Sequence, residues 1–233
     1  MSSNQQSGGF NEDTLLVYVV KVRRFFIKNK NTIITLSLIA LALIVFFVVR
    51  AIESQKAEEE ASIAFERASL LLRDDNVRER IGDIETQLDD IIKKWPDTLG
   101  AARASFHLGH MQYGLENYAG ALESYTRAAG YSSSIHIYPA SLLGIANCYE
   151  QTGEHERAIE YYSRVETLSS GFGYKNTALL GKARCLAVQG DLREARRLFE
   201  IVSNESGSPL SEEANQALIW IDGMQETPIL PGN

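Results

Sequence analysis

Hydrophobic positions are distributed along this chain in two ways. Over residues 33–49, IITLSLIALALIVFFVV, they are continuous; beyond Arg50 they recur every three or four positions among polar residues. The continuous run has no charge, glycine or proline, and counted back to Asn31 the uncharged stretch is 19 residues. At about 1.5 Å per residue it makes roughly 28 Å of helix, close to the ~30 Å hydrocarbon core of a bilayer. A buried soluble helix of this length nearly always carries a polar face. A cleaved signal peptide would have a shorter apolar region and small residues at its end, whereas this run ends in Val49-Arg50-Ala51-Ile52-Glu53. The pattern predicts one retained transmembrane helix.

The spaced pattern predicts helices. Residues 50–73 hold no proline or glycine and place Ala61, Phe65, Ala68 and Leu72 on one stripe. Asp74-Asp75-Asn76 is a break that can cap the next helix. That helix, Val77–Lys94, buries Ile81, Ile84, Leu88 and Ile91/Ile92 and ends at Trp95-Pro96-Asp97. A final helix over 208–223 has Ala214, Ala217, Leu218 and Ile221 on its apolar face.

Between them the chain repeats itself. Leu108-Gly109 is followed by Tyr118, Ala121, Tyr125 and Ala128; Ile145-Ala146 by Tyr149, Gly153, Ala158, Tyr162 and Val165; Ala183 by Leu186, Gly190, Ala195, Phe199 and Val202. Ala121, Ala158 and Ala195 are spaced by 37 residues each time. Each unit reads helix, tight turn, helix, with turns at 115–118, 152–155 and 189–192. Two helices approach closely only where small side chains meet. This pattern resembles the tetratricopeptide repeat, whose usual unit is about 34 residues; the three extra residues fall in the links 129–139 and 168–176. The same register carried backwards lands on Ile84, Leu88, Ile91 and Pro96, which fit the second helix of a degenerate earlier unit. The expected fold class is all-α: a single N-terminal transmembrane helix, then a tetratricopeptide-like antiparallel helix-pair solenoid. The expected segments are a cytoplasmic tail (1–32), the span (33–49), a linker helix with the degenerate repeat (50–101), three repeats (102–207), a capping helix (208–224) and a disordered tail (225–233).

Charge refines this picture. The chain carries −7 overall; residues 1–32 hold Lys21, Arg23, Arg24, Lys28 and Lys30 against Glu12 and Asp13, a net +3, which leaves −10 for the rest. An acidic main domain lacks the basic face that phosphate binding requires, so nucleic acid is not an expected partner. The basic flank precedes the span, and a mixed flank of Arg50, Lys56, Glu53, Glu58, Glu59 and Glu60 follows it. The positive-inside tendency then places the N-terminus in the cytoplasm and the large domain across the membrane. Thr14–Ile27 is too short and charged to span; it suits either a membrane-surface stretch with its cations near lipid phosphates, or a solvated tail.

No catalytic constellation stands out. His107 and His110 lie three apart on one helix face without further metal ligands at hand, His136 and His155 are isolated, and Gly171-Phe172-Gly173 reads as a link. No enzyme activity, cofactor or metal is expected. Cys148 and Cys185 occupy the same slot of adjacent units, about 8–10 Å apart if the helices pack normally, beyond the ~7 Å a disulfide spans; both read as packing residues. Repeat arrays of this type bind through the concave face lined by their first helices. By register that face offers Phe106, His110, Tyr113, Leu143, Asn147, Glu150, Leu180 and Arg184, which either meet a peptide or extended protein segment or pack against the array itself.

The whole architecture resembles the YfgM-like ancillary SecYEG translocon subunit family: a short tail with Lys21-Val22-Arg23-Arg24-Phe25-Phe26, one span, an Ala/Glu-rich linker helix and three or four repeats. The resemblance implies a bacterial inner-membrane protein with a periplasmic domain. It implies translocon subunits, periplasmic chaperones and nascent exported chains as partners. The alternative is a scaffold of cell-envelope or outer-membrane assembly, of the Tol-Pal or β-barrel assembly type. Self-association through exposed repeat faces stays open.

Overall fold

The computed structural model describes residues 12–72, 77–131, 134–168, 173–205 and 209–226. These form ten α-helices, one short 3-10 turn at Val77–Arg80, and no strand. The expected break at 74–76, the first eleven residues and the final seven lie outside the described residues. The chain divides into two compact units, residues 1–55 and 56–233.

The first unit holds α1 (Glu12–Lys28) and the beginning of α2 (Lys30–Leu72), separated by Asn29 alone. Helix α2 is long because nothing in residues 30–72 interrupts it: there is no proline and no glycine. Among the described residues α2 is the one helix long and apolar enough to cross a membrane, and none of its most apolar window is buried. Leu36, Ile44 and Phe47 are all more than half exposed, an arrangement that water penalises and lipid does not.

The second unit begins with the last turns of α2. Phe65 and Ala68 are buried there in one cluster with α3 (Ile81–Lys94), which contributes Ile84, Leu88, Ile91 and Ile92, while Ala61 is buried against Gly100 of the next helix. The helix expected from Val77 thus starts as a 3-10 turn and becomes α-helical at Ile81. Helix α4 (Leu99–Gly114) is capped twice. Thr98 Oγ1 accepts from the Ala101 amide at 3.1 Å, and the Glu58 carboxylate of α2 accepts from the Leu99 amide at 3.0 and 3.1 Å. Two of the four orphan donors at that helix start are thereby satisfied.

The remaining helices follow as pairs: α5 (Tyr118–Ala129), α6 (Ile137–Gln151) with α7 (His155–Leu168), α8 (Tyr174–Val188) with α9 (Leu192–Ser203), and α10 (Pro209–Glu226). Each packs on its predecessor in sequence, and α4, α6 and α8 also meet each other as a row. Ala121, Ala158 and Ala195 are each 0 % exposed, so the small side chains sit where the helices of a pair come closest. Helix α10 buries Ala214 and Ile221 and packs Ala217 and Leu218 against α8 and α9. It continues through Gln225 and Glu226, two residues past the expected end.

The three turns share one conformation at one slot. Glu116, Gly153 and Gly190, each 37 residues from the next, have φ of 60°, 78° and 87°. Two units place glycine where the backbone turns left-handed, and the first places a glutamate there. Left-handed backbone costs an L-residue about 1–2 kcal/mol, so Glu116→Gly is expected to stabilise the protein by about 1 kcal/mol. Thermal unfolding of the two forms checks this.

Candidate functional site

Helices α4, α6 and α8 are the first helices of their pairs, and the capping helix α10 takes the corresponding place after the last pair. Three of them are tied together on one face by charged side chains. Arg184 on α8 forks onto Glu150 of α6, with Nε donating to Oε1 at 2.7 Å and Nη2 donating to Oε2 at 2.9 Å. Its Nη1 donates to Glu213 of α10 at 3.0 Å. The Tyr162 hydroxyl of α7 donates to Glu150 Oε2 at 2.5 Å and lies 2.7 Å from the Asn147 amide oxygen. A hydroxyl has one proton, so the arrangement that satisfies all three groups has the Asn147 amide turned to donate to the phenolic oxygen. Burial pulls the Arg184 guanidinium down, but its bonds to Glu150 outweigh this and the net shift is upward. Burial and the neighbouring Glu150 carboxylate push the Tyr162 phenol up, so the hydroxyl stays a donor.

Glu150 and Arg184, two of the eight residues expected on the binding face, therefore hold successive units together, and Asn147, a third, bonds Tyr162 within its own unit. Leu180 is a correction. It was expected to face outward but is 1 % exposed, in one apolar cluster with Leu198, Phe199 and Ala214. The capping helix α10 packs against α8, and its Ala214 lies in the cluster that buries Leu180.

The other four lie on α4 and α6 and are not sealed. His110 is exposed, and Phe106, Tyr113 and Leu143 are half-buried. The Phe106 ring leans on Tyr125 at 5.7 Å and on His107 at 5.6 Å, and Tyr113 meets Tyr118 edge-on at 5.4 Å. These contacts fix aromatic rings in place while leaving part of each accessible, which lowers the ordering cost of receiving a partner. His107 is turned inward, with its ring 5.4 Å from Phe65. Burial first, then His110 and Arg103, lower its pKa from 6.5, which keeps the imidazole neutral. No group of three or more His, Cys, Asp or Glu among the described residues could hold a metal ion.

Sequence reasoning missed the contacts that set the spacing between units. A Cβ on Gly144 of α6 would lie 2.7 Å from three Tyr125 ring atoms, and one on Gly181 of α8 would lie 2.3 Å from Tyr162 Cζ. Each tyrosine of a second helix thus lies flat on a glycine of the next first helix. The signal was present: the tyrosines are 37 apart and so are the glycines.

Cys148 and Cys185 are free and buried. Burial pushes the Cys148 thiol up to about 11, and burial together with the Glu150 charge pushes Cys185 up to about 12. Since the thiolate is the reactive form, neither thiol is expected to react with a maleimide at pH 8 until the protein is unfolded in guanidinium. Counting modified cysteines by intact mass before and after denaturation checks this.

The sequence model of the family described as "Tetratricopeptide repeat-like domain" matches residues 23–208. The chain belongs to that family. Among solved structures, this tetratricopeptide repeat-like protein is similar to a tetratricopeptide repeat protein from Parabacteroides merdae. The TM-score is 0.56 at 20% identity, over 72% of this chain and 61% of that one. It thus spans less than two thirds of that protein's length. It is also similar to the nearly identical TPR-like repeats of a Podosopora anserina protein named for kinesin light chain, with a TM-score of 0.56 at 16% identity over 71% of this chain and 89% of that one. At these identities the likeness concerns the fold. No curated protein sequence matches this tetratricopeptide repeat-like chain significantly.

Proposed function

We propose that this protein is a membrane-tethered scaffold that receives extended protein segments on the α4–α6 part of its first-helix face. The observation that carries this reading is the patch of Phe106, His110, Tyr113 and Leu143, aromatic, apolar and part-exposed, beside a face that the Glu150–Arg184–Glu213 bridge has closed. Fixed aromatic rings beside an exposed polar group suit a peptide, whose backbone needs hydrogen bonds and whose side chains need apolar cover. The span formed by residues 33–49 would confine the repeats to a membrane surface and raise their effective concentration toward partners there. The basic flank before the span supports a cytoplasmic N-terminus and an exported repeat domain in a bacterial inner membrane.

On that placement the partners are those of a YfgM-like ancillary translocon subunit: translocon subunits, emerging exported chains and periplasmic chaperones. The test replaces Tyr113 with a photo-crosslinking amino acid in the full-length protein and isolates the adducts in mild detergent. Adducts with translocon subunits or exported chains are expected, and Phe106→Ala should weaken them. Adducts only with outer-membrane assembly factors would overturn the translocon reading in favour of an envelope-assembly scaffold.

A further inference from the structure

Every side chain of α1 from Leu16 to Lys28 is exposed. At 3.6 residues per turn Lys21, Arg24 and Lys28 share one stripe about 60° wide, with Val17 among them. Leu16, Val19, Val22, Phe26 and Ile27 spread over the far side of the cylinder, with Arg23 in their midst. Val20, Tyr18 and Phe25 flank the stripe. An exposed apolar arc this broad is unfavourable in water. The cationic stripe beside it sets the sign of whatever covers it: the surface must be apolar within and negative at its rim.

The join to α2 brings such a surface within reach. Asn29 is the one residue between the helices, and both its backbone amide and its Nδ2 donate to the Phe25 carbonyl, at 3.0 and 3.1 Å. The amide bond is the regular i→i−4 bond, and the Ile33 amide donates likewise to the Asn29 carbonyl at 2.9 Å, while the side-chain amide adds a second donor to Phe25 at the join. The uncharged run of α2 begins at Asn31, so the last turn of α1 lies where a spanning α2 would leave the hydrocarbon. Arg23, within the apolar arc, is long enough to carry its guanidinium back to the headgroups.

We propose that α1 binds in the plane of an anionic phospholipid surface, with Lys21, Arg24 and Lys28 toward the lipid phosphates and the Phe26–Ile27 side in the acyl boundary. This rests on the reading of α2 as a membrane span. The test uses full-length protein reconstituted into protein-free vesicles, either neutral phosphatidylcholine or with about 30% phosphatidylglycerol, a content that gives the surface its negative potential. An environment-sensitive fluorophore is attached to Phe26→Cys, Lys21→Cys or Leu41→Cys, and quenching by lipids brominated on their acyl chains is read for each.

The Leu41 position should be quenched in both vesicles. The Phe26 position should be quenched strongly, and more in anionic vesicles than in neutral ones, while the Lys21 position is not. Lys21→Glu/Arg24→Glu/Lys28→Glu should abolish the difference between the two lipids. Quenching at Leu41 but not at Phe26 would overturn the placement of α1 and leave the span standing, and would fit a helix whose apolar arc is covered by another membrane protein. Equal quenching at Phe26 and Lys21 would overturn it in favour of a straight continuation of the span. No quenching at Leu41 would refute the span itself.

Discussion

Gly181→Ala is expected to destabilise the repeat array, although alanine is the better helix former. Helix propensity alone would favour the change by about 1 kcal/mol. Against it, the new methyl would stand 2.3 Å from Tyr162 Cζ and 2.6 Å from its hydroxyl oxygen. The ring cannot swing aside, because its hydroxyl is held by Glu150 and Asn147 and Tyr162 is 0 % exposed. Overpacking of this kind costs about 1–3 kcal/mol or more, with the upper part of that range expected where the neighbour is pinned. A net loss of about 2 kcal/mol would lower the melting temperature by roughly 4–8 °C for a protein of this size. Differential scanning fluorimetry of the full-length protein in mild detergent reads it. Gly82→Ala is the control with opposite sign: a Cβ there meets nothing within 4 Å, so propensity acts alone and stability should rise by about 0.5 kcal/mol. If both alanines shift the melting point the same way, the packing role of Gly181 is wrong.

Arg184→Met should cost nearly as much by another route. It strips the Glu150 carboxylate, whose side chain is 14% exposed, of its bidentate partner. Removing one member of a buried ion pair costs about 3–5 kcal/mol, because the remaining charge is left in a poor solvent. Arg184 itself is 41% exposed, and solvent screening brings the expected loss to about 2 kcal/mol. Adding Glu150→Gln removes the stranded charge and should recover about half of it. By contrast Arg127→Met, which breaks an exposed i, i+4 pair with Glu123, should cost no more than about 0.5 kcal/mol. An Arg184→Met effect as small as that of Arg127→Met would mean the network does not hold the units together.

Features with a local or strictly periodic signature were legible in the sequence. The long apolar helix α2 follows from an unbroken apolar run. The helix pairs follow from alanines at one period, and all three of those alanines are fully buried. What was not legible depends on partners far apart in the chain. Glu150 and Arg184 are 34 residues apart, and Arg184 and Glu213 are 29. No local rule distinguishes such charges from those of a solvated face, so register alone placed them on a binding surface. Leu180 failed for a related reason: it is buried by Leu198 and Phe199 of α9 and Ala214 of α10, neighbours that the register of its own helix does not supply. Gly144 and Gly181 were passed over because glycine inside a helix reads first as a weakness, and its use as a seat for an aromatic ring appears only when the neighbouring helix is in place.

Seating tyrosine on glycine also decides where the array comes apart. The pairing occurs at the two interior junctions, Tyr125 on Gly144 and Tyr162 on Gly181. The corresponding slots hold Leu88 and His107 on the N-terminal side and Phe199 and Leu218 on the C-terminal side. Without glycine those outer slots offer no such seat, and their junctions are expected to be the looser ones. In a nearest-neighbour solenoid the looser junctions open first. Amide exchange should therefore run inward from both ends, with the segment from Tyr125 to Gly181 the last to release its protons. The middle of the array is then a rigid platform between two yielding ends, and it carries Leu143 and seats the Tyr125 ring on which Phe106 rests.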